Sequence, residues 1–244
     1  YIVACGSAYH TGVTAKYVFE GLARIPVEVD LASEFRYRDP ILDEETLLII
    51  VSQSGETADS LAALREAKAR GVRTLGIVNV VGSSIAREAD NVMYTWAGPE
   101  ISVATTKAYS TQLIAEYLLA MKFAQVRGTA AQEEMDEMIE ELKKLPQHIE
   151  MLLDHKEKLQ RFANRYIAAK DVFFIGRGID YAISLEGSLK LKEISYIRPL
   201  PPRISTLISE VISAFLLIII HTTPILMNIF LMIISRIYIL INVF

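Results

Sequence analysis

The stretch LLIIVSQSGETADSLAALREAKAR, from Leu47 to Arg70, runs an apolar strand directly into a hydroxyl-rich turn and then a helix. Leu47 to Val51 are apolar in succession, and Ile49, Ile50 and Val51 are β-branched, which suits a strand covered on both faces. The turn Ser52-Gln53-Ser54-Gly55-Glu56-Thr57 offers hydroxyls, an amide and a glycine. Behind it Ala58, Leu61 and Leu64 recur at helical spacing, and Gly71 is placed to end the helix in a left-handed conformation. A strand that feeds a helix through such a turn aims the helix's free N–H groups and positive dipole end at one spot. That is the chemistry of an anion site, most often for phosphate. The plainer alternative, that Ser54 or Thr57 simply caps the helix, carries equal weight on these residues alone.

Composition narrows the surroundings of this turn. The chain has 244 residues and a net charge of −4 with no long basic run, which argues against nucleic acid as the main partner. A single cysteine, Cys5, excludes an internal disulfide framework and suits a reducing, cytoplasmic setting. Residue 1 is Tyr and already reads as strand, so the chain is expected to be cut from a longer one, with no signal peptide to interpret.

Outward from the opening stretch, strands and helices alternate. Tyr1 to Cys5 reads as a buried strand, Gly6-Ser7-Ala8 as a small-residue turn, and about Tyr9 to Ala23 as a helix. Val27 to Leu31, Arg73 to Asn79 and Asn91 to Trp96 read as further strands, with a short helix after Ser83-Ser84 and a long one from about Lys107 to Arg127. The spacings are too long for hairpins. The pattern predicts a parallel sheet with helices on both faces, a three-layer αβα sandwich. Thr105 and Thr106 sit where helix caps belong, but their loop also leaves the sheet at the carboxyl edge used by the turns after Cys5 and Val51, where ligands of such sheets bind. Cys5 itself reads as a buried small hydrophobe.

Met135, Met138, Ile139, Leu142 and Leu145 write one face of a helix whose other sides are acidic, an ordinary solvated face. Pro146 ends or kinks it, and another helical segment is expected from Gln147 to Tyr166. Asp171 to Ile175 followed by Gly176-Arg177-Gly178 then repeats the opening strand–glycine–helix arrangement. On the next helix, Glu186, Lys190 and Glu193 share a face at about 100° per residue. They read either as a salt bridge on a solvent face or as a general base beside a cation, able to move a proton on a carbon next to a carbonyl.

Five motifs in unbroken order extend these readings: ACGS at Ala4 to Ser7, ASEFRYR at Ala32 to Arg38, SQSGETAD at Ser52 to Asp59, VATTKA at Val103 to Ala108, and LEGSLKLKEISY at Leu185 to Tyr196. Together they resemble the isomerase part of the glucosamine-6-phosphate synthase family (glutamine–fructose-6-phosphate aminotransferases, isomerising), from Tyr1 to Ile197. The resemblance implies sugar isomerase (SIS) domains: a first over 1–128, a helical connector over 129–167, and the start of a second, truncated one over 168–197. It implies an aminotransferase of amino-sugar biosynthesis, toward UDP-N-acetylglucosamine, that makes glucosamine 6-phosphate from fructose 6-phosphate with ammonia from an N-terminal glutaminase domain. By motif, Ser52, Gln53, Ser54 and Thr57 would bind the sugar phosphate, and Cys5, Gly6, Ser7, Val103 and Thr105 would line the sugar. Glu193 would shuttle a proton between C1 and C2, with Lys190 and Glu186 beside it. No cofactor and no metal are expected, and a cytoplasmic homodimer is. Ser7 and Ala8 stand where the family commonly has Thr and Ser, and the lost hydroxyl weakens a sugar contact.

The resemblance stops at Ile197. From Ile204 to Phe244 there are 41 residues, 13 of them Ile, none Gly or Lys, with only Glu210 and Arg236 charged. Residues 225–244 have the length of a membrane span, but Arg236 costs roughly 2.5–3.5 kcal/mol on insertion scales, so a membrane partner is not expected. A soluble enzyme interrupted by such a segment points to a frameshifted or misassembled gene end over 198–244. The residues with which the family opens the sugar ring and forms an imine are then absent, and the fragment is expected to be inactive by itself. The alternative function is a non-catalytic SIS regulator that binds a sugar phosphate and controls a partner, against which Glu193 and Lys190 argue.

Overall fold

A computed structural model describes residues 1–102, 104–166, 168–169, 171–195 and 198–200, with backbone alone for 171, 195 and 198–200. The chain divides into two compact units, Tyr1–Glu137 and Met138–Phe244.

The first unit is built on a five-stranded sheet of β1 (Ile2–Ala4), β2 (Val29–Leu31), β3 (Leu47–Ser52), β4 (Arg73–Val78) and β5 (Asn91–Tyr94), in the order β2-β1-β3-β4-β5. Every pairing is parallel. Between the strands run α1 (Ser7–Val18), α2 (Ala32–Phe35), α3 (Ala58–Ala69) and α4 (Ser84–Glu88), and α5 (Lys107–Arg127) follows the last strand. Because side chains alternate along a strand, Val3, Leu48 and Ile50 face one way, into a core closed by Phe35, Leu64 and Ile85. Those six side chains are fully buried, each contributing about 1.5–3 kcal/mol by leaving water. Ile2 faces the other way, under α1, which packs against α5. A Cβ on Gly12 of α1 would lie 2.8 Å from Ile2 Cγ2, so the glycine is what lets that helix settle on the sheet. The expected αβα sandwich is therefore the fold of this unit.

Local signals in the sequence account for most element ends. Val72 N–H donates to Ala67 O and Gly71 N–H to Lys68 O, both at 3.0 Å, and Gly71 has φ +77°, so α3 ends in the Schellman arrangement that its glycine announces. The first helix departs from expectation: it turns π-helical over Phe19–Ala23 before Arg24 enters the left-handed region. There Lys16 Nζ donates to Val27 O at 2.6 Å and Glu20 Oε1 accepts from Val27 N at 3.2 Å, fastening the widened turn to the chain that follows.

Helix α6 (Gln132–Lys143) spans the division, and the second unit continues with α7 (Leu145–Leu153), α8 (Lys156–Asn164), β6 (Asp171–Phe173), α9 (Ile179–Ser195) and β7 (Arg198–Leu200). The segment read as one helix from Gln147 to Tyr166 is two, broken at Asp154 and His155. Residues 154–158 are all exposed and polar, so no apolar contact carries the helix through. Pro146 lies in the first turn of α7, where its missing N–H costs nothing. Strands β6 and β7 pair in parallel across α9. Among the described residues no helix is long and apolar enough to cross a membrane. The sequence readings at Val103, Tyr196, Ile197 and the apolar tail over 201–244 lie outside the described residues.

Candidate functional site

Register places the first two loops. Ala4 pairs with Val51, so the chain leaves β1 as Cys5-Gly6-Ser7 directly beside the point where it reaches Ser52-Gln53-Ser54 at the end of β3. In the order 2-1-3-4-5 this is where the connections turn to opposite sides of the sheet, the crevice in which such folds hold ligands.

Within the β3–α3 turn the polar groups organise one another. Ser52, almost fully buried, accepts from Gly55 N–H at 3.0 Å and shares a hydroxyl contact of 3.1 Å with Thr57. Ser54 is exposed; its oxygen accepts from Glu56 N–H at 3.2 Å, and its own hydrogen remains to donate. Gly55 sits at φ +66° against Ser83, and a Cβ there would fall 2.1 Å from Ser83 Oγ. Gln53 O accepts from Asn79 N–H at 3.2 Å, while Gln53 Oε1 is buried without a hydrogen-bond partner. Asn79 in turn accepts from Thr95 Oγ1 at 3.1 Å and Ala97 N–H at 2.7 Å, tying the carboxyl ends of β4 and β5 together.

The helix starts along this edge are not equivalent. Thr57 stands at the N-cap of α3 and Gly6 at that of α1, yet neither helix has a side-chain cap. At α5 the expected caps are corrected. Thr106 is the N-cap residue but makes no side-chain cap, and Thr105 is in the left-handed region at φ +57°. The end is filled instead by Glu100: Oε2 accepts from Thr106 and Ala108 N–H, both at 3.1 Å, and Oε1 from Ser102 N–H at 3.2 Å. Burial works against this carboxylate's charge, but the three N–H groups prevail and hold its pKa below the usual range. At α4, Glu56 Oε1 accepts from Ser84 N–H at 2.7 Å, and the Ser84 side chain first, then that N–H, keep Glu56 below the usual range. Two helix starts thus carry carboxylates of the chain's own; the single turn α2 after the edge strand β2 is uncapped as well, but of the longer helices the uncapped α1 and α3 follow the neighbouring strands β1 and β3. No spacing rule in the sequence points to Glu100, six residues ahead of the cap it serves.

Cys5 is half-buried with Sγ 3.9 Å from Ser60 Oγ, a contact with the first turn of α3, and Ser7 is the first residue of α1. Gly6 has φ +57° and ψ −133°, a backbone open essentially to glycine alone. Thr105 N–H donates to Ser102 O at 3.0 Å.

In the second unit Lys190 Nζ lies 2.5 Å from Glu193 Oε2 and 3.4 Å from Glu186 Oε1. The solvent-face reading of this row is corrected: the side chains of Lys190 and Glu186 are 7% and 3% exposed, and only Glu193, at 38%, reaches water. Two carboxylates flank the buried Lys190 side chain, the pairing that a buried charge requires. The geometry presents one accessible carboxylate backed by a fixed cation, suited to taking up and returning a proton.

Comparison with known proteins bears on both units. The SIS domain family matches residues 1–122. The glutamine–fructose-6-phosphate aminotransferase (isomerizing) of Caldanaerobacter subterraneus is 64% identical over 197 residues, 81% of this chain and 32% of that protein. The protein of the same name from Clostridium tetani is 62% identical over the same length and shares. The chain thus spans about a third of the length of the curated relatives it matches. Among solved structures, the C-terminal domain of glucosamine-fructose-6-phosphate aminotransferase from Francisella tularensis superposes with a TM-score of 0.87 at 30% identity, covering 99% of this chain and 84% of that one. A glucosamine-6-phosphate deaminase from Thermotoga maritima superposes with a TM-score of 0.67 at 27% identity, covering 81% and 58%.

Proposed function

Because the chain belongs to the SIS domain family, we propose that it is the sugar-phosphate-binding and isomerising part of an enzyme that makes glucosamine 6-phosphate from fructose 6-phosphate and glutamine. The observation that carries this reading is the contrast among helix starts: α4 and α5 hold carboxylates of their own, whereas α1 and α3 are uncapped at the crevice between β1 and β3. Backbone N–H groups at a helix start favour an anion, and the hydroxyls of Ser54 and Thr57 and the amide of Gln53 add the directed contacts a phosphate ester accepts. Ser52 shapes the turn from beneath. Cys5, Gly6 and Ser7 line the carbohydrate side of the crevice, together with Thr105.

The isomerisation falls to the second unit. Glu193 takes the proton from C1 of the ketose, the C–H electron pair becomes the C1–C2 double bond of an enediol-type intermediate, and the carbonyl pair moves onto O2. The O1 hydroxyl proton passes to O2, the O1–H pair re-forms the carbonyl at C1, and the C1–C2 double-bond pair takes the proton back from Glu193 at C2, which gives the aldose. Lys190 holds the Glu193 carboxylate in place, and Glu186 balances the ammonium from the buried side. Ammonia from a glutaminase domain, a homodimer and a cytoplasmic setting belong to the same proposal, supported by the names and lengths of the relatives.

Titration calorimetry of the 244-residue chain with fructose 6-phosphate tests the reading. The double substitution Ser54→Ala/Thr57→Ala removes two charge-assisted contacts and is expected to weaken binding roughly 100-fold. Affinity unchanged by that pair overturns the phosphate assignment.

A further inference from the structure

Away from the crevice, the seam between α1 and α5 buries a polar row. Thr11 and Thr14 of α1 and Glu116 of α5 have no exposed surface, and Gln112 of α5 is 2% exposed. Thr11 Oγ1 lies 2.8 Å from Ala8 O and 3.3 Å from Glu116 Oε1. Two oxygens in the row have no hydrogen-bond partner: Gln112 Oε1, which can only accept, and Glu116 Oε2. Gln112 and Glu116 are four apart on one helix, so their side chains are neighbours.

Two buried acceptors with no donor between them is a costly arrangement, but one proton removes the conflict. We propose that Glu116 is a carboxylic acid whose O–H donates to Gln112 Oε1 while its other oxygen holds Thr11, making it a positioning residue for the loop Gly6-Ser7-Ala8. The chain of contacts is short. The one Thr11 hydroxyl hydrogen is shared between Ala8 O at 2.8 Å, one residue beyond Ser7, and Glu116 Oε1 at 3.3 Å. The clasp thus fixes the start of α1 against α5. Its effect on sugar binding rests on the function proposed above; the clasp itself does not.

The surroundings favour the acid. Burial pushes the Glu116 carboxyl well above its usual range, opposed only by the Thr11 hydroxyl, and no lysine, arginine or histidine contributes. Tyr117, next on the same helix, is the titrating neighbour; burial first and the Glu116 charge second push its hydroxyl up to about 12. On α1 the basic side chains are Lys16, engaged with Val27 O and Glu20, and His10, whose ring packs against Tyr9.

Difference infrared spectroscopy of the intact chain tests the clasp directly. The wild type is expected to show a protonated-carboxyl stretch at neutral pH that vanishes in Glu116→Gln; no such band overturns the proposal. Since a buried acid binds its proton more tightly folded than unfolded, wild-type stability relative to Glu116→Gln should be greatest below the unfolded carboxyl pKa and fall as pH rises. A flat difference between pH 5 and 9 overturns it equally. Glu116→Gln keeps a donor and should bind fructose 6-phosphate within about twofold of wild type, whereas Glu116→Leu should lose roughly tenfold. Should Glu116→Leu fail to fold, Thr11→Val replaces it, with the same expectation. Equal binding by all variants removes the positioning role. If the wild type binds no sugar phosphate, the functional reading fails and takes that role with it, while the infrared band still decides the clasp.

Discussion

The starts of α3 and α5 look alike as sequence and differ as chemistry. Each is a hydroxyl-rich turn leaving the carboxyl edge of the same sheet: Ser52 to Thr57 before one, Ser102 to Thr106 before the other. At α5 the Glu100 carboxylate occupies the N–H groups of Ser102, Thr106 and Ala108, so the helix neutralises its own dipole. At α3 Ser52 is spent on the shape of the turn, Ser54 keeps a hydrogen to donate, and the helix end has no side-chain cap. Hydroxyls at a helix start therefore do not by themselves distinguish a closed end from a receptive one. What distinguishes them is whether a carboxylate of the chain can reach.

The comparison breaks most visibly at Gly55. Any side chain there combines a left-handed backbone with a 2.1 Å approach to Ser83 Oγ, so Gly55→Ala should cost about 2–4 kcal/mol in urea unfolding and abolish sugar-phosphate binding. A Gly55→Ala protein with wild-type stability contradicts the packing of the α3 turn on Ser83. Next in size is Glu100. Glu100→Ala should lose about 1–2 kcal/mol, leave fructose 6-phosphate affinity unchanged, and make α5 the end that added inorganic phosphate stabilises. Because the folded Glu100 carboxyl lies below its usual 4.5, its contribution is present above that pH and lost as pH falls through the folded pKa. In Glu100→Gln that acid-side loss should disappear. If instead Glu100→Ala weakens sugar binding as much as the Ser54/Thr57 pair does, the two helix starts are not functionally distinct.

The smallest effect is expected at Asp90, whose carboxylate serves one strand N–H, that of Thr74, and no helix end. Lys68 first, then the hydroxyl and backbone N–H of Thr74, hold it at about 2. It is half-exposed, so Asp90→Asn should cost under about 1 kcal/mol above pH 4, fading between pH 4 and 2 as the native carboxyl takes up its proton. Thermal melts of the two proteins across that range check it; a cost that persists at pH 2 assigns the effect to something other than charge.

The sheet was legible because its information is local. Five apolar residues from Leu47 to Val51 announce a buried strand, and Gly71 announces where α3 must stop. The β3–α3 turn was legible as a composition of donors. Glu100 and Glu56 were not, because each caps a helix from outside any fixed spacing, reaching its partner only once the strands are assembled. Glu116 sits in a long helix where a glutamate is unremarkable; only burial against Thr11 sets it apart. Glu186 and Lys190 carry the i,i+4 signature of a surface pair, and the same spacing serves equally when the face is covered. Asp154 and His155 show the converse: a helical period continues across them, but with no apolar side chain from 154 to 158 nothing holds the turn.

The bond from Ser84 N–H to Glu56 has a consequence for competition. Glu56 follows Gly55 directly, so if unfastened it would be a tethered anion beside the groups proposed above to receive phosphate. Through so short a tether its effective concentration would be at least millimolar, comparable to that of a metabolite. Anchored at the start of α4, that carboxylate is held from competing with an outside anion for the turn proposed to bind one.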